Sequence, residues 1–138
     1  MLWVRAMSTE RLSLPVLDVL DMGIAMAGLR ITRYPEPMYH VFFRIRMHNA
    51  ADFSIRLKGR KWILRDTSGE ARIIEAANVF NQAPILIPGA VFSYGGCQDF
   101  SRAPVNMEVR FFGEDQWGAP FITPALIFPR QCFKAPRF

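Results

Sequence analysis

Hydrophobic and polar positions alternate with a period of two through much of the chain. In YHVFFRIRMHN, Val41, Phe43, Ile45 and Met47 fall on one side of an extended backbone, and His40, Phe42, Arg44, Arg46 and His48 on the other. That pattern predicts an antiparallel strand with one face in a core and one in water. RKWILRDTSGEARIIE reads as two strands around Asp66-Thr67-Ser68-Gly69, a tight turn with Asp first and Gly last. PILIPGAVFSY turns at Pro88-Gly89, and NMEVRFFGEDQWGAPFITPALIF turns near Glu114 to Gly118. Turn signals recur about every ten residues, as in a sandwich or barrel. One stretch, within residues 12–28, reads both ways. In LPVLDVLDMGIAMAG, a helical projection clusters Val16, Leu17, Leu20, Ile24 and Ala27 opposite Asp18 and Asp21. Against the helix, Gly23 at its centre costs about 1 kcal/mol relative to Ala.

At 138 residues the chain fits one domain, long enough to bury roughly two-thirds of its unfolded surface. Half its residues are hydrophobic and 12 are Phe, which excludes a disordered protein. Cys97 and Cys132 are too few for a disulfide framework and read as reduced thiols of a cytoplasmic protein. The longest apolar stretch, Leu12 to Leu29, is interrupted by Asp18 and Asp21, so neither a membrane span nor a signal peptide is expected. Met7 opens MSTERLSLP and offers an alternative start, with the residues before it an extension.

Charge changes the picture locally. The net charge of +5 lies wholly in residues 1–69, and residues 70–138 balance. Between His40 and Arg65 the bases are Arg44, Arg46, Arg56, Lys58, Arg60, Lys61 and Arg65, against Asp52 alone. In RLKGRKWILRD, a core-facing Trp62 and Leu64 place Arg60, Lys58 and Arg56 inward as well, unless the strand bends. Gly59 is the natural place for a bulge. Beyond it Lys61 and Arg65 point to solvent and, if their strands are neighbours, extend a patch begun by Arg44 and Arg46. Such a patch reads as a solvated sheet face or as a docking surface for an acidic partner. Single-stranded nucleic acid also calls for exposed stacking aromatics, and only Phe42 offers one on these faces.

Candidate chemistry is sparse. His40 and His48 share a strand face but stand about 27 Å apart, too far to hold one metal ion. No nucleophile elbow, HExxH or Walker loop is present. Glu114 and Asp115 read as solvated turn residues, and Cys97 has no evident base beside it. No catalytic residue, metal site or cofactor is therefore expected. Phe111 and Phe112 are consecutive and must face opposite ways, so one needs cover from a loop, a terminus or a partner. Phe80 is unexplained by periodicity and is a candidate for partner binding.

The segment GRKWILRDTSGEARIIEAANVFNQAPILIPGAVFSYGGC resembles the ApaG domain, also known as DUF525. The resemblance rests on Arg60 and Trp62, Asp66 and Gly69, Gln82 and Pro84, Pro88 and Gly89, then Phe92, Tyr94, Gly96 and Cys97. Upstream, FFRIRMHN is similar to the family's second strand, which ends in an Asn; downstream, Met107 and Phe111 stand where the family usually has Met and Tyr. The resemblance covers about Leu17 to Phe128. It implies an all-β, immunoglobulin/fibronectin-III-like sandwich of two antiparallel sheets. Its first strand lies near Leu17 to Met26, and GLRITRYPEPM forms a second extended piece and a proline-ended loop. The expected organisation is an N-terminal extension over 1–16, the domain over 17–130 and a tail over 131–138.

For function, the resemblance implies a non-enzymatic binding module for a protein partner, linked to cobalt and magnesium tolerance. Related domains also occur attached to F-box and polymerase-interacting proteins. Arg44, Arg46, Lys61, Arg65 and Phe80 are the candidate contact residues, and an edge strand offers a route to a homo-oligomer. Family members often carry a Gly-x-Gly-x-x-Gly loop suited to a phosphate. Here Ala76, Asn78 and Asn81 replace those glycines, and a phosphate- or nucleotide-binding role for the loop around residues 76–84 is the alternative reading.

Overall fold

The alternating segments form the strands of an all-β protein. The computed structural model describes residues 20–77 and 83–134. In chain order the strands are β1 (Leu20–Thr32), β2 (Met38–Asn49), β3 (Ile55–Asp66), β4 (Ala71–Ala77), β5 (Ile85–Leu86), β6 (Val91–Phe100), β7 (Pro104–Asp115), β8 (Pro120–Ile122) and β9 (Leu126–Ile127). They build a three-stranded sheet, β1-β2-β6, and a six-stranded sheet, β4-β3-β7-β8, in which β5 also pairs with β3 and β9 with β7. Every pairing is antiparallel. The expected sandwich of two antiparallel sheets is thus the observed architecture.

β1 is strand, as the resemblance implies, and not helix. It runs unbroken through the stretch expected as two pieces, with a bulge between Ile24 and Met26. Residues 12–19 lie outside the described residues. At the other end, Arg130–Phe133 form a 3-10 turn, and Cys132 and Phe133 pack against the core. The described part of the expected tail therefore belongs to the packed domain.

The core lies between the sheets. Val41, Phe43, Ile45 and Met47 of β2 meet Trp62 and Leu64 of β3 and Met107, Val109 and Phe111 of β7, all buried. Phe43 is the hub, with ring centroids 4.9 Å from Trp62, 5.7 Å from Tyr94 and 5.8 Å from Phe128. Such tilted and edge-on pairs each add about 0.5–1.5 kcal/mol beyond area burial. Trp62 is fully buried, and its indole N–H finds no acceptor among the described residues. An orphaned buried donor costs about 1–3 kcal/mol. Trp62→Phe removes that donor along with some volume, so its net loss in urea unfolding is expected to stay below about 1.5 kcal/mol. Trp62→Ala is expected to cost about 3–5 kcal/mol.

The bulge near Gly59 is present. The β3–β7 register shifts between Leu57 and Gly59. Before it Ile55 and Leu57 are buried; after it the inward positions are Arg60, Trp62 and Leu64. Arg60 lies across the gap on the Tyr94 ring, 5.9 Å from its centroid. Phe111 is fully buried, and Phe112 takes the outer face. The cover that Phe112 needs comes from its own sheet: the ring lies where a Cβ on Gly59 would stand, 2.3 Å away.

Candidate functional site

Alternation along β2 turns His40, Phe42, Arg44, Arg46 and His48 away from the core. Register then decides their neighbours. His40 pairs with Arg30 on one side and Asp99 on the other, Phe42 with Gly28 and Cys97, Arg44 with Met26 and Gly95, Arg46 with Gly23 and Ser93. Glycines flank the largest side chains of this face. The Phe42 ring lies over Gly28, and the Arg44 guanidinium stands 3.4 Å from where a Gly95 Cβ would be. Arg44 and Arg46 are exposed, with no carboxylate in ion-pair range among the described residues.

At one end of this face His40, Cys97 and Asp99 converge, and their donor atoms all lie within 4.8 Å of one another. His40 Nδ1–H donates to Asp99 Oδ1 at 2.8 Å, and Nε2 accepts from the Thr32 hydroxyl at 3.0 Å. The Cys97 thiol donates to the same Asp99 oxygen at 3.4 Å. Arg72, reaching over from β4, donates to the Asp99 carbonyl and covers the Phe100 ring. Arg30, Thr32, His40, Phe42 and Cys97 line a shallow hollow of about 330 Å3 here.

Hydrogen bonding from His40 holds the Asp99 carboxyl below the usual carboxylate range. Burial first, and then the hydrogen bond and charge of Asp99, push the Cys97 thiol up to about 11. Both His40 ring nitrogens are hydrogen-bonded to other groups, so neither takes the thiol proton as a base. This is a neutral thiol within a nitrogen, sulfur and oxygen donor set, not an activated nucleophile.

The single basic patch expected from Arg44, Arg46, Lys61 and Arg65 does not form. β2 and β3 are consecutive in sequence but belong to different sheets, so the pairs face outward on opposite sides of the sandwich. Lys61 stands 4.0 Å from Glu75, and Glu108 stands 4.0 Å from Arg110 beside it, so that side carries mixed charge. Ala76 sits in regular β4 ladder opposite Arg60, not in a phosphate-cradling loop. Asn78, Phe80 and Asn81 lie outside the described residues.

Asp115 corrects a further expectation. It is a turn residue but a buried one, and its Oδ1 accepts the backbone N–H of Trp117 at 2.9 Å and of Ala119 at 3.0 Å. Sequence spacing separates His40 from His48 and gives no recognisable ligand pattern to His48 with Asp52 or Cys97. The His40–Cys97–Asp99 cluster was missed because its members come from strands 59 residues apart. A known β2–β6 register would have revealed it.

Comparison with known proteins agrees with this frame. The family model of the ApaG domain (DUF525) matches residues 32–113, and the chain belongs to that family. Protein ApaG of Deinococcus radiodurans is 29% identical over 99 residues, 72% of this chain and 77% of that protein. Human F-box only protein 3 is 29% identical over 76 residues, 52% of this chain but 16% of that much longer protein. Among solved structures, a Northeast Structural Genomics Consortium target superimposes with a TM-score of 0.71 at 16% identity, covering 89% of this chain and 97% of its own. A Bordetella pertussis protein described as ApaA gives 0.65 at 20% identity, covering 80% and 92%. At those identities the structures speak to fold alone. No helix among the described residues is long and apolar enough to cross a membrane.

Proposed function

We propose that this ApaG domain is a non-enzymatic, cytoplasmic binding module that docks an acidic protein partner across the outer face of β1-β2-β6. The observation that carries the reading is the side-by-side exposure of Arg44 and Arg46 without acidic partners among the described residues. Phe42 and the half-exposed Met26 supply apolar contact beside them. On the opposite side Lys61 stands 4.0 Å from Glu75, and Arg110 beside it 4.0 Å from Glu108, which makes that face the weaker candidate. The match to a short segment of F-box only protein 3 supports a module that works within larger assemblies. The cobalt and magnesium tolerance implied by the resemblance then follows from complex formation, not from catalysis.

Arg44→Glu/Arg46→Glu tests the reading. In an affinity pull-down from native lysate, the double variant is expected to lose a specific acidic partner kept by the wild type. Measured binding should fall at least about tenfold, through slower association and a reversed salt dependence. Equal retention by wild type and variant, with unchanged melting, would remove the reading's main support. Lys61→Glu/Arg65→Glu is expected to leave that partner bound.

A further inference from the structure

We infer that His40, Cys97 and Asp99 form a binding site for one borderline-soft divalent transition metal of the zinc class. The first ground is the donor set. An imidazole nitrogen, a thiol sulfur and a carboxylate oxygen are the usual protein ligands of zinc, and three protein ligands leave a fourth position open. The second ground is distance. Tetrahedral coordination with bonds of about 2.0–2.3 Å sets donors roughly 3.3–3.8 Å apart. The observed separations are 2.8 Å between His40 Nδ1 and Asp99 Oδ1 and 3.4 Å between Cys97 Sγ and that oxygen. The third separation, between His40 and Cys97 donors, is within 4.8 Å, so side-chain rotation is what draws the three onto one ion. Cys97 and Asp99 lie on the same face of β6, two residues apart, while β2 supplies His40 directly opposite Asp99. The ladder itself therefore sets the spacing.

The third ground is the surrounding shell. A ligating histidine usually hands its other ring nitrogen to an oxygen acceptor, which fixes the ring. With Nδ1 on the metal, Nε2–H points at the Thr32 hydroxyl, already 3.0 Å away. Asp99 is steadied in turn, because Arg72 holds its backbone carbonyl. Thiolate and carboxylate together neutralise a divalent ion. Arg30 and Thr32 line the hollow beside the open position and would suit an anionic or hydroxylic fourth ligand. The same donor set disfavours Mg2+, which demands octahedral oxygen ligation and keeps its waters.

Titration of the full chain with Co2+ alone tests the site. One equivalent is expected to raise a thiolate-to-cobalt charge-transfer band with visible d–d bands of tetrahedral intensity. Excess Zn2+ should abolish them and excess Mg2+ should not. Cys97→Ser should remove the charge-transfer band, whereas Cys132→Ser should keep it. His40→Ala and Asp99→Ala should each weaken Co2+ binding at least tenfold, with unchanged circular dichroism. In the wild type, Zn2+ should slow alkylation of Cys97, mapped by mass spectrometry, more than that of Cys132, a readout that needs no variant to fold. Absence of the band, its survival in Cys97→Ser, or no selective protection of Cys97 would overturn the inference.

Discussion

Gly113→Ala is expected to cost about 3–5 kcal/mol, a large share of the total stability of a domain this size. A Cβ at Gly113 would stand 1.9 Å from the Arg56 carbonyl oxygen and 3.1 Å from the Phe121 ring. The close approach follows from the bulge. Leu57 pairs with Gly113, the next pair is Gly59 with Phe112, and the extra residue, Lys58, bends β3 against β7 at this point. The obstructing atom is backbone in the central pairing of the larger sheet, so it cannot turn aside as a side chain does. Relief requires parting β3 from β7 where Leu57 and Phe121 are buried. Gly59→Ala is the matched control. Its Cβ would meet the Phe112 ring at 2.3 Å, but Phe112 lies on the outer face and can swing toward solvent, and its one close backbone contact, the Ala76 carbonyl oxygen of the end strand β4, is far milder at 2.9 Å. That change is expected to cost about 1–3 kcal/mol. Urea unfolding with an unchanged m-value measures both. A smaller loss for Gly113→Ala than for Gly59→Ala would refute the backbone-contact explanation.

That bulge was legible because charge and burial conflict in one short window: unbroken alternation would turn Lys58 and Arg56 inward together with Arg60 and Trp62, and only a break in parity frees them to face solvent. β1 hid a bulge of the same kind. Leu20, Met22 and Ile24 pack inward before it and Ala27, Leu29 and Ile31 after it. The bulge turns the step from Ile24 to Ala27 into three residues, which imitates a helical spacing. Periodicity alone therefore favours a helix there, and only the family pattern restores the strand. The joint basic patch failed for a different reason. Consecutive strands usually pair, but the chain after Asn49 crosses to the other sheet, and residue spacing carries no mark of that crossing. Cluster formation at His40, Cys97 and Asp99 depends on β2–β6 register, a long-range fact fixed by the turns and the core together.

Asn49 makes that crossing. It is fully buried at the end of β2. Its Nδ2 donates to the carbonyls of Phe53 at 2.8 Å and Leu86 at 2.9 Å, while its Oδ1 accepts from Ala51 N–H at 3.0 Å. Its backbone adds bonds to Ala90 at 3.0 Å and Gly89 at 2.8 Å. One amide thus ties the outgoing loop, β5 and the Pro88-Gly89 turn that brings the chain back as β6. Asn49→Ala leaves two carbonyls and one N–H without partners and is expected to cost about 2–4 kcal/mol. Asn49→Asp is the sharper variant. A carboxylate keeps the Ala51 bond but sets negative charge against two carbonyl oxygens, so burial and those oxygens raise its pKa in the folded state. The unfolded chain releases the proton first, from about pH 4. Between the unfolded and the raised folded pKa the native state binds more protons, and stability falls as pH rises. Asn49→Asp should therefore resemble Asn49→Ala in acid, where a protonated carboxyl can still donate to one carbonyl, and become the less stable of the two toward neutral pH. Chemical denaturation at several pH values reads this directly. A gap between the two variants that stays constant with pH would mean that the position is hydrated in the folded protein and that the clamp does not hold the crossing shut.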